Sequence, residues 1–277
     1  MNKTIWPVLL IALAAACAPP RNSPGIRYPV QWPGSPGFTG NIDAQGIVQP
    51  SGICYHPARK TLFVVSDEGD VFEIRTDGTP VSRTRVPGDL EDVTVDPRTG
   101  LLYIVVEGRD VILEFDPETR TIKRRFPVSR EFNGNPNFLQ KQIDRYDNGL
   151  ESLTFVPDGK SPEGGTFYAG NQEDPPCILE LSIPLKTPGG SGEARILRVL
   201  PFKMDDPSCL LYDSRTRHLM VVSDADNIFA EITLDGKLVR EYAFPGNEQE
   251  GIAWDPDGYI YIAQDSGGII KLKDLSR

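Results

Sequence analysis

Five segments of the chain alternate large apolar residues with smaller ones: PSGICYHP (50–57), LEDVTVDP (90–97), LESLTFVP (150–157), PSCLLYD (207–213) and QEGIAWDP (249–256). In each, a bulky pair (Ile53 and Tyr55, Val93 and Val95, Leu153 and Phe155, Leu210 and Tyr212, Ile252 and Trp254) brackets Cys54, Thr94, Thr154, Leu211 or Ala253. Period-two alternation predicts a strand. A mostly small intervening residue implies a sheet packed on both faces with unequal room. A turn rich in Asp, Pro and Gly follows each segment, then a second apolar run, an acidic or polar turn and a third run. VVSDEGDVFEI (64–74), VVSDADNIFAEI (221–232) and YIAQDSGGIIKL (261–272) are three copies of that second junction. A fourth strand is written more weakly, at 80–87 and 121–127.

Four short antiparallel strands repeated along a chain predict an all-β propeller. Successive anchors at Ser51, Glu91, Glu151, Ser208 and Glu250 are 40, 60, 57 and 42 residues apart, near the roughly 40–50 per blade plus insertions. Five blades are expected, with six as the alternative if an insertion hides one. Too little chain follows Glu250 for a fourth strand in the last blade, and a bare edge there would invite pairing with other chains. The missing strand is therefore expected from before Pro50, in IRYPVQW (26–32) in preference to NIDAQGIVQ (41–49).

The first forty residues read differently. MNKTIWPVLLIALAAACAPP carries one basic residue and an apolar run from Ile5 to Ala16, too short to span a bilayer and suited to a signal peptide over residues 1–17. Ala14 to Ala16 before Cys17 are similar to a bacterial lipobox, which makes Cys17 the expected lipidation site. Ala14 stands where Leu is usual, so ordinary secretion is the alternative. Residues 18–40, rich in Pro and Gly, read as a tether, and 41–277 as the propeller domain. An extracytoplasmic location follows, in the periplasm or at the cell surface, with the membrane reached only through the lipid.

A formal net charge of −10 excludes nucleic acid and a basic membrane-docking patch as partners and suits a cation. Monomeric protein is expected, with a small-molecule or protein ligand at the channel mouth. Cys54, Cys177 and Cys209 allow at most one disulfide; small core residues are the simpler reading of Cys54 and Cys209.

With these anchors in view, the stretches 50–78, 150–159 and 207–266 resemble the SdiA-regulated family of bacterial extracytoplasmic propellers. The resemblance implies five blades, calcium near the axis and, by analogy with other metal-centred propellers, a hydrolase-like role. Two of the five anchors here, Ser51 and Ser208, are Ser where the others are Glu.

The residues themselves point to the same region. A propeller's first strands line its channel and the second strands run antiparallel to them. Glu91, Glu151 and Glu250 should therefore share one mouth with Asp67, Glu107, Asn171, Asp224 and Asp265, beside Ser51 and Ser208. Clustered carboxylates call for a cation, and converging oxygens suit Ca²⁺ better than Zn²⁺, which favours thiolate and imidazole. Glu91, Glu151 and Glu250 are the first expected ligands, Asn171 and Asp224 the next; the alternative is a solvated rim paired with Arg or Lys. His56 and His218 fall at the opposite end, so a Ser-His-Asp triad at the acidic mouth is not expected. Any catalysis there would be metal-dependent ester or phosphoester hydrolysis with a carboxylate base. A non-catalytic envelope scaffold is the competing function. The insertion at 129–149, with Phe132, Phe138, Lys141, Arg145 and Tyr146, reads equally as a lid or as a surface loop.

Overall fold

Each alternating segment forms the innermost strand of a four-stranded antiparallel sheet. The computed structural model describes residues 38–140, 149–187, 192–243 and 248–273. Blade 1 is β2 (Pro50–His56), β3 (Thr61–Ser66), β4 (Asp70–Arg75) and β5 (Pro80–Arg85); blade 2 is β6 (Leu90–Val95), β7 (Leu102–Val106), β8 (Val111–Asp116) and β9 (Thr121–Pro127). Blade 3 is β10 (Leu150–Pro157), β11 (Gly165–Asn171), β12 (Cys177–Ser182) and β13 (Arg195–Val199); blade 4 is β14 (Cys209–Asp213), β15 (His218–Ser223), β16 (Ile228–Thr233) and β17 (Leu238–Ala243). Blade 5 combines β18 (Gln249–Trp254), β19 (Tyr259–Gln264) and β20 (Ile269–Lys273) with β1 (Phe38–Asn41), in the order β1-β20-β19-β18. The protein is a five-bladed β-propeller.

The outermost strand of blade 5 does come from the N-terminal side, but it is Phe38–Asn41 and not IRYPVQW, which lies outside the described residues, as do the leader and Cys17. The expected tether, 18–40, therefore overlaps this strand. NIDAQGIVQ contributes Asn41 to the strand and then crosses to the channel mouth: Asn41 Oδ1 accepts the Ile269 amide at 3.0 Å, and Ile42 donates to Ile269 O at 2.8 Å. Closure continues onto blade 1. Gly78, at φ +87°, lies so close to Ile42 that an added Cβ would stand 1.8 Å from its carbonyl oxygen. No helix among the described residues is long and apolar enough to cross a membrane.

Five apolar clusters fill the five spaces between blades. One joins Phe63 and Val65 of blade 1 to Val93 and Ile104 of blade 2, and the last joins Tyr261 and Ala263 of blade 5 to Leu62 and Val64 of blade 1. The ring closes with no space for a sixth blade. Ile53 packs in the cluster shared with blade 5, while its neighbour Cys54 packs in the cluster shared with blade 2. Alternation along a first strand thus sends successive side chains into two different seams.

The intervening positions do more than save room. A first strand has one edge on the channel, and its amides there lack a sheet partner. Thr94 Oγ1 accepts the Phe155 amide at 3.1 Å and Thr154 Oγ1 the Tyr212 amide at 3.0 Å, and two residues before the intervening position, in blades 2 and 4, Asp92 Oδ2 accepts Leu153 N at 2.8 Å and Cys209 Sγ accepts Ile252 N at 3.2 Å. The side chains of one blade satisfy the backbone of the next. Cys54, Cys177 and Cys209 are buried free thiols; burial pushes the Cys177 thiol up to about 12, and such thiols are poor nucleophiles.

A second repeated device holds the outer strands. The third strand of blades 1 to 4 carries an acid at one register, Glu73, Glu114, Glu180 or Glu231, paired with Arg59, Arg124, Arg198 or His218. Blade 5 has Lys271 there, which reaches back to Thr76 O of blade 1 at 2.7 Å and stacks on Tyr259, 4.3 Å from the ring centroid. Glu114 also accepts the Tyr103 hydroxyl at 3.1 Å. Glu114→Ala strands a half-buried guanidinium and a buried phenol, so a loss of about 3–5 kcal/mol is expected in urea unfolding. A loss below about 1 kcal/mol would mark the pair as a surface one.

Candidate functional site

The acidic residues meet at one mouth because of where each lies on its blade. The residue after a second strand hydrogen-bonds back to the residue just before a first strand: Asp67 N to Gln49 O at 3.3 Å, Glu107 N to Asp89 O at 3.0 Å, Asp265 N to Glu248 O at 2.9 Å. This clasp, repeated around the ring, holds Asp67, Glu107 and Asp265 beside the first residues of the channel strands. Ligand oxygens of Asp67, Asp89 and Glu91 lie within 4.8 Å of one another. Asp89 was not among the expected mouth residues. It precedes Glu91 by two positions, where the other blades carry Gln49, Gly149, Asp206 and Glu248, so no repeat in the sequence marked it. Asp206 joins from blade 4: its carboxylate accepts the Ala225 amide at 3.4 Å and the Gln172 side chain at 3.4 Å.

The electrostatics follow from this crowding. Burial pushes the Glu91 carboxyl well above the usual range, and Asp67, Asp89 and Glu107 push it further. Glu151 is raised by burial, then by Glu91, Glu107 and Glu250, and Glu250 by burial, then by Asp206, Asp224, Asp265 and Asp67. Asp67 is pushed up to about 7: burial raises it, the hydroxyl of Ser51 donating to Oδ1 opposes this, and Asp265 and Asp89 add to the rise. Asp206 and Asp265 are also raised, chiefly by burial. These acids influence one another around the whole mouth.

Other expected site residues have protein partners. Asn171 is buried, and its Nδ2 donates to Glu173 O and, at 2.9 Å, to Pro175 O, bracing the loop after β11. Asp224 Oδ1 accepts the Gln249 amide at 3.2 Å. Ser208 Oγ donates to Gln249 O at 3.2 Å, between blades. His56 lies at the far end of β2, with Nε2 3.0 Å from Gly100 O, and His218 pairs with Glu231 at 2.6 Å; neither meets the acids. In the insertion, the Phe132 and Phe138 rings contact each other, 5.3 Å between centroids, and Phe138 packs against the core between blades 2 and 3. Lys141, Arg145 and Tyr146 lie outside the described residues. Gly149 brings the chain back to the mouth, where an added Cβ would stand 3.4 Å from Glu107 Cγ.

A family model described as SdiA-regulated matches residues 35–267, from just before β1 to the last hairpin of blade 5. The chain belongs to the SdiA-regulated family. Among solved structures, the glutaminyl cyclase of Myxococcus xanthus is similar with a TM-score of 0.58 at 12% identity, over 84% of this chain and 93% of that one. Hydrazine synthase of Kuenenia stuttgartiensis aligns with a TM-score of 0.45 at 14% identity over 80% and 58%, and a chain of a nidogen/laminin complex with 0.49 at 12% over 77% and 71%. At such identities the first of these likenesses carries the fold alone. In this SdiA-regulated protein the chemistry must therefore be argued from its own acidic mouth.

The acids fit a hard cation. All are oxygen donors brought together from strand starts and adjoining turns of several blades, and one oxygen of the group, Asp265 Oδ1, is buried without a hydrogen-bond partner. Calcium accepts six to eight oxygens in loose geometry. Among the described residues, the ion pairs formed by Arg and Lys involve other acids.

Proposed function

We propose that the protein binds a divalent cation, calcium, at the acidic mouth of its channel and offers that cation and the surrounding carboxylates to a ligand. The observation that carries this reading is the convergence of Asp67, Asp89 and Glu91 within 4.8 Å, inside a ring of further acids that raise one another's proton affinity. Asp67, Asp89 and Glu91 would hold the ion, with Glu151, Glu250, Asp224 and Asp265 completing the charge around it. Bound there, calcium would polarise a carbonyl or phosphoryl oxygen. The chain's own contribution is proton handling: burial and neighbouring acids raise the proton affinity of Glu151 and Glu250 above that of ordinary carboxylates, which suits them to hold a proton beside the ligand, and Ser51 holds the Asp67 carboxylate in place. Ester or phosphoester hydrolysis is the activity this arrangement allows. Binding without turnover would make the same mouth a scaffold surface for the cell envelope, with Cys17 as the anchor.

Calorimetric titration of the chelated protein with calcium should give saturable binding of one ion, and Glu91→Gln and Asp89→Asn should each weaken it at least tenfold. Undiminished binding in both variants would move the site elsewhere; no binding in the unaltered protein would leave the mouth a solvated acidic rim.

A further inference from the structure

The other mouth of the channel holds a cavity of unlike chemistry, about 360 Å³ in volume. Tyr55, Val95, Phe155, Tyr212 and Trp254, the bulky residues that close each first strand, line it, and Pro57, Pro97, Pro157 and Pro256 stand at its edge. The size and the mainly apolar, aromatic lining match a small-molecule pocket.

The walls are set before any ligand arrives. Trp254 meets Phe229 edge to face, with centroids 6.2 Å apart. Phe155 is held between Phe167 at 4.9 Å and the Arg98 guanidinium at 5.8 Å. The charged groups of the lining are engaged with the protein. Asp213 pairs with Arg215 at 3.0 Å, and Asp255 accepts the Tyr259 amide at 2.8 Å and the Tyr261 hydroxyl at 2.7 Å. A charged ligand would have to compete for them.

Thr94 and Thr154 supply the specific feature. They line the cavity and are 8% and 2% exposed. Each hydroxyl oxygen already accepts an amide from the next blade, and neither donates to an acceptor among the described residues. Their two hydroxyl protons are left to a guest, and a buried donor is costly without an acceptor.

We infer that this cavity binds a small, neutral, planar heteroaromatic molecule that stacks on the Tyr55, Tyr212 and Trp254 rings and turns a hydrogen-bond acceptor toward Thr94 and Thr154. Stacking uses the flat faces, and the acceptor satisfies the Thr hydroxyls. The site is independent of the acidic mouth, so its occupancy is the same with and without chelator.

The test is a titration of the isotopically labelled protein with quinoline, which carries a ring acceptor, and with indole, of similar shape but presenting a donor. Quinoline should shift the Trp254 indole, Tyr212 and Thr154 signals saturably and bind about fivefold to tenfold more tightly than indole. Tyr55→Ala removes a partly buried ring that also packs against the cluster between blades 5 and 1, and, in protein whose unfolding curve shows it folded at the titration temperature, should weaken quinoline by about as much. The inference is overturned by an absence of saturable shifts up to about ten millimolar, the range reached by fragments of this size, by equal or tighter binding of indole, or by shifts confined to the acidic mouth.

Discussion

Saturating calcium is expected to raise the melting temperature of the chelated protein by roughly 5–10 °C at mildly alkaline pH. A ligand at about one hundred times its dissociation constant stabilises the native state by ~2.7 kcal/mol, and ~1 kcal/mol moves a domain of this size by ~2–4 °C. The increment should depend on pH, with a sign that follows from the acids. Asp67 is raised to about 7 in the folded chain, against about 3.9 when unfolded. Between those values the native state binds more protons, so stability present in acid is lost as pH rises through about 7. Glu91, Glu151 and Glu250 are raised too and act in the same direction. The chelated protein should therefore lose stability from about pH 4 to about pH 7 and beyond, and calcium should restore most where the loss is greatest. Glu91→Gln should make the chelated protein more stable above neutral pH, because it removes a buried acid from among like charges, while removing most of the calcium increment. Scanning calorimetry decides the matter: identical melting curves with calcium and with chelator would remove the cation from the account.

Gly52→Ala should abolish folding or cost more than about 3 kcal/mol, the upper end for overpacking. A Cβ on Gly52 would lie 2.4 Å from Asp92 Cα, 2.8 Å from Asp92 Oδ1 and 2.8 Å from Glu91 O. Two of these are backbone atoms, which no side-chain rotation relieves. Movement of β6 is also resisted, because Asp92 accepts Leu153 N at 2.8 Å and Val93 N at 2.7 Å and so fastens blade 2 to blade 3. The methyl group must push apart blades that the closed ring holds together. Exposed Gly159, with no atom within 4 Å of an added Cβ, is the control: Gly159→Ala should be tolerated. A Gly52→Ala protein with an unchanged denaturant midpoint would mean that the first strands approach one another less closely than described.

Particular residues show how far the sequence could be read. Glu91, Glu151 and Glu250 were legible because each repeats at the start of an alternating run, and a propeller sends all such starts to one mouth. Asp89 and Asp206 were not, since they lie before the repeat, in turns whose composition changes from blade to blade. Thr94 and Thr154 were legible only as small residues; their role as acceptors for the neighbouring blade depends on a contact between segments about sixty residues apart. The paired acids of the third strands were hidden similarly. Glu114 and Glu180 sit in runs that pattern alone reads as strand, and their partners Arg124 and Arg198 lie on outer strands too polar to stand out.

The closing strand marks the boundary most sharply. Pattern alone determined the strands and the need for an N-terminal partner to the last sheet, because period-two alternation and repeat spacing are local properties of a chain that must bury both faces of each blade. It pointed to five blades but left open a sixth, which the closure of the ring excludes. Which residues met that need was decided by tertiary structure. FTGN, at 38–41, carries little of a strand's usual signal, and it is the free edge of β20, the bond from Asn41 to Ile269 and the close approach of Ile42 to Gly78 that select it. The acidic mouth divides in the same way: side-chain type gave its charge, but the 4.8 Å grouping of Asp67, Asp89 and Glu91 exists only once two blades pack around a common axis.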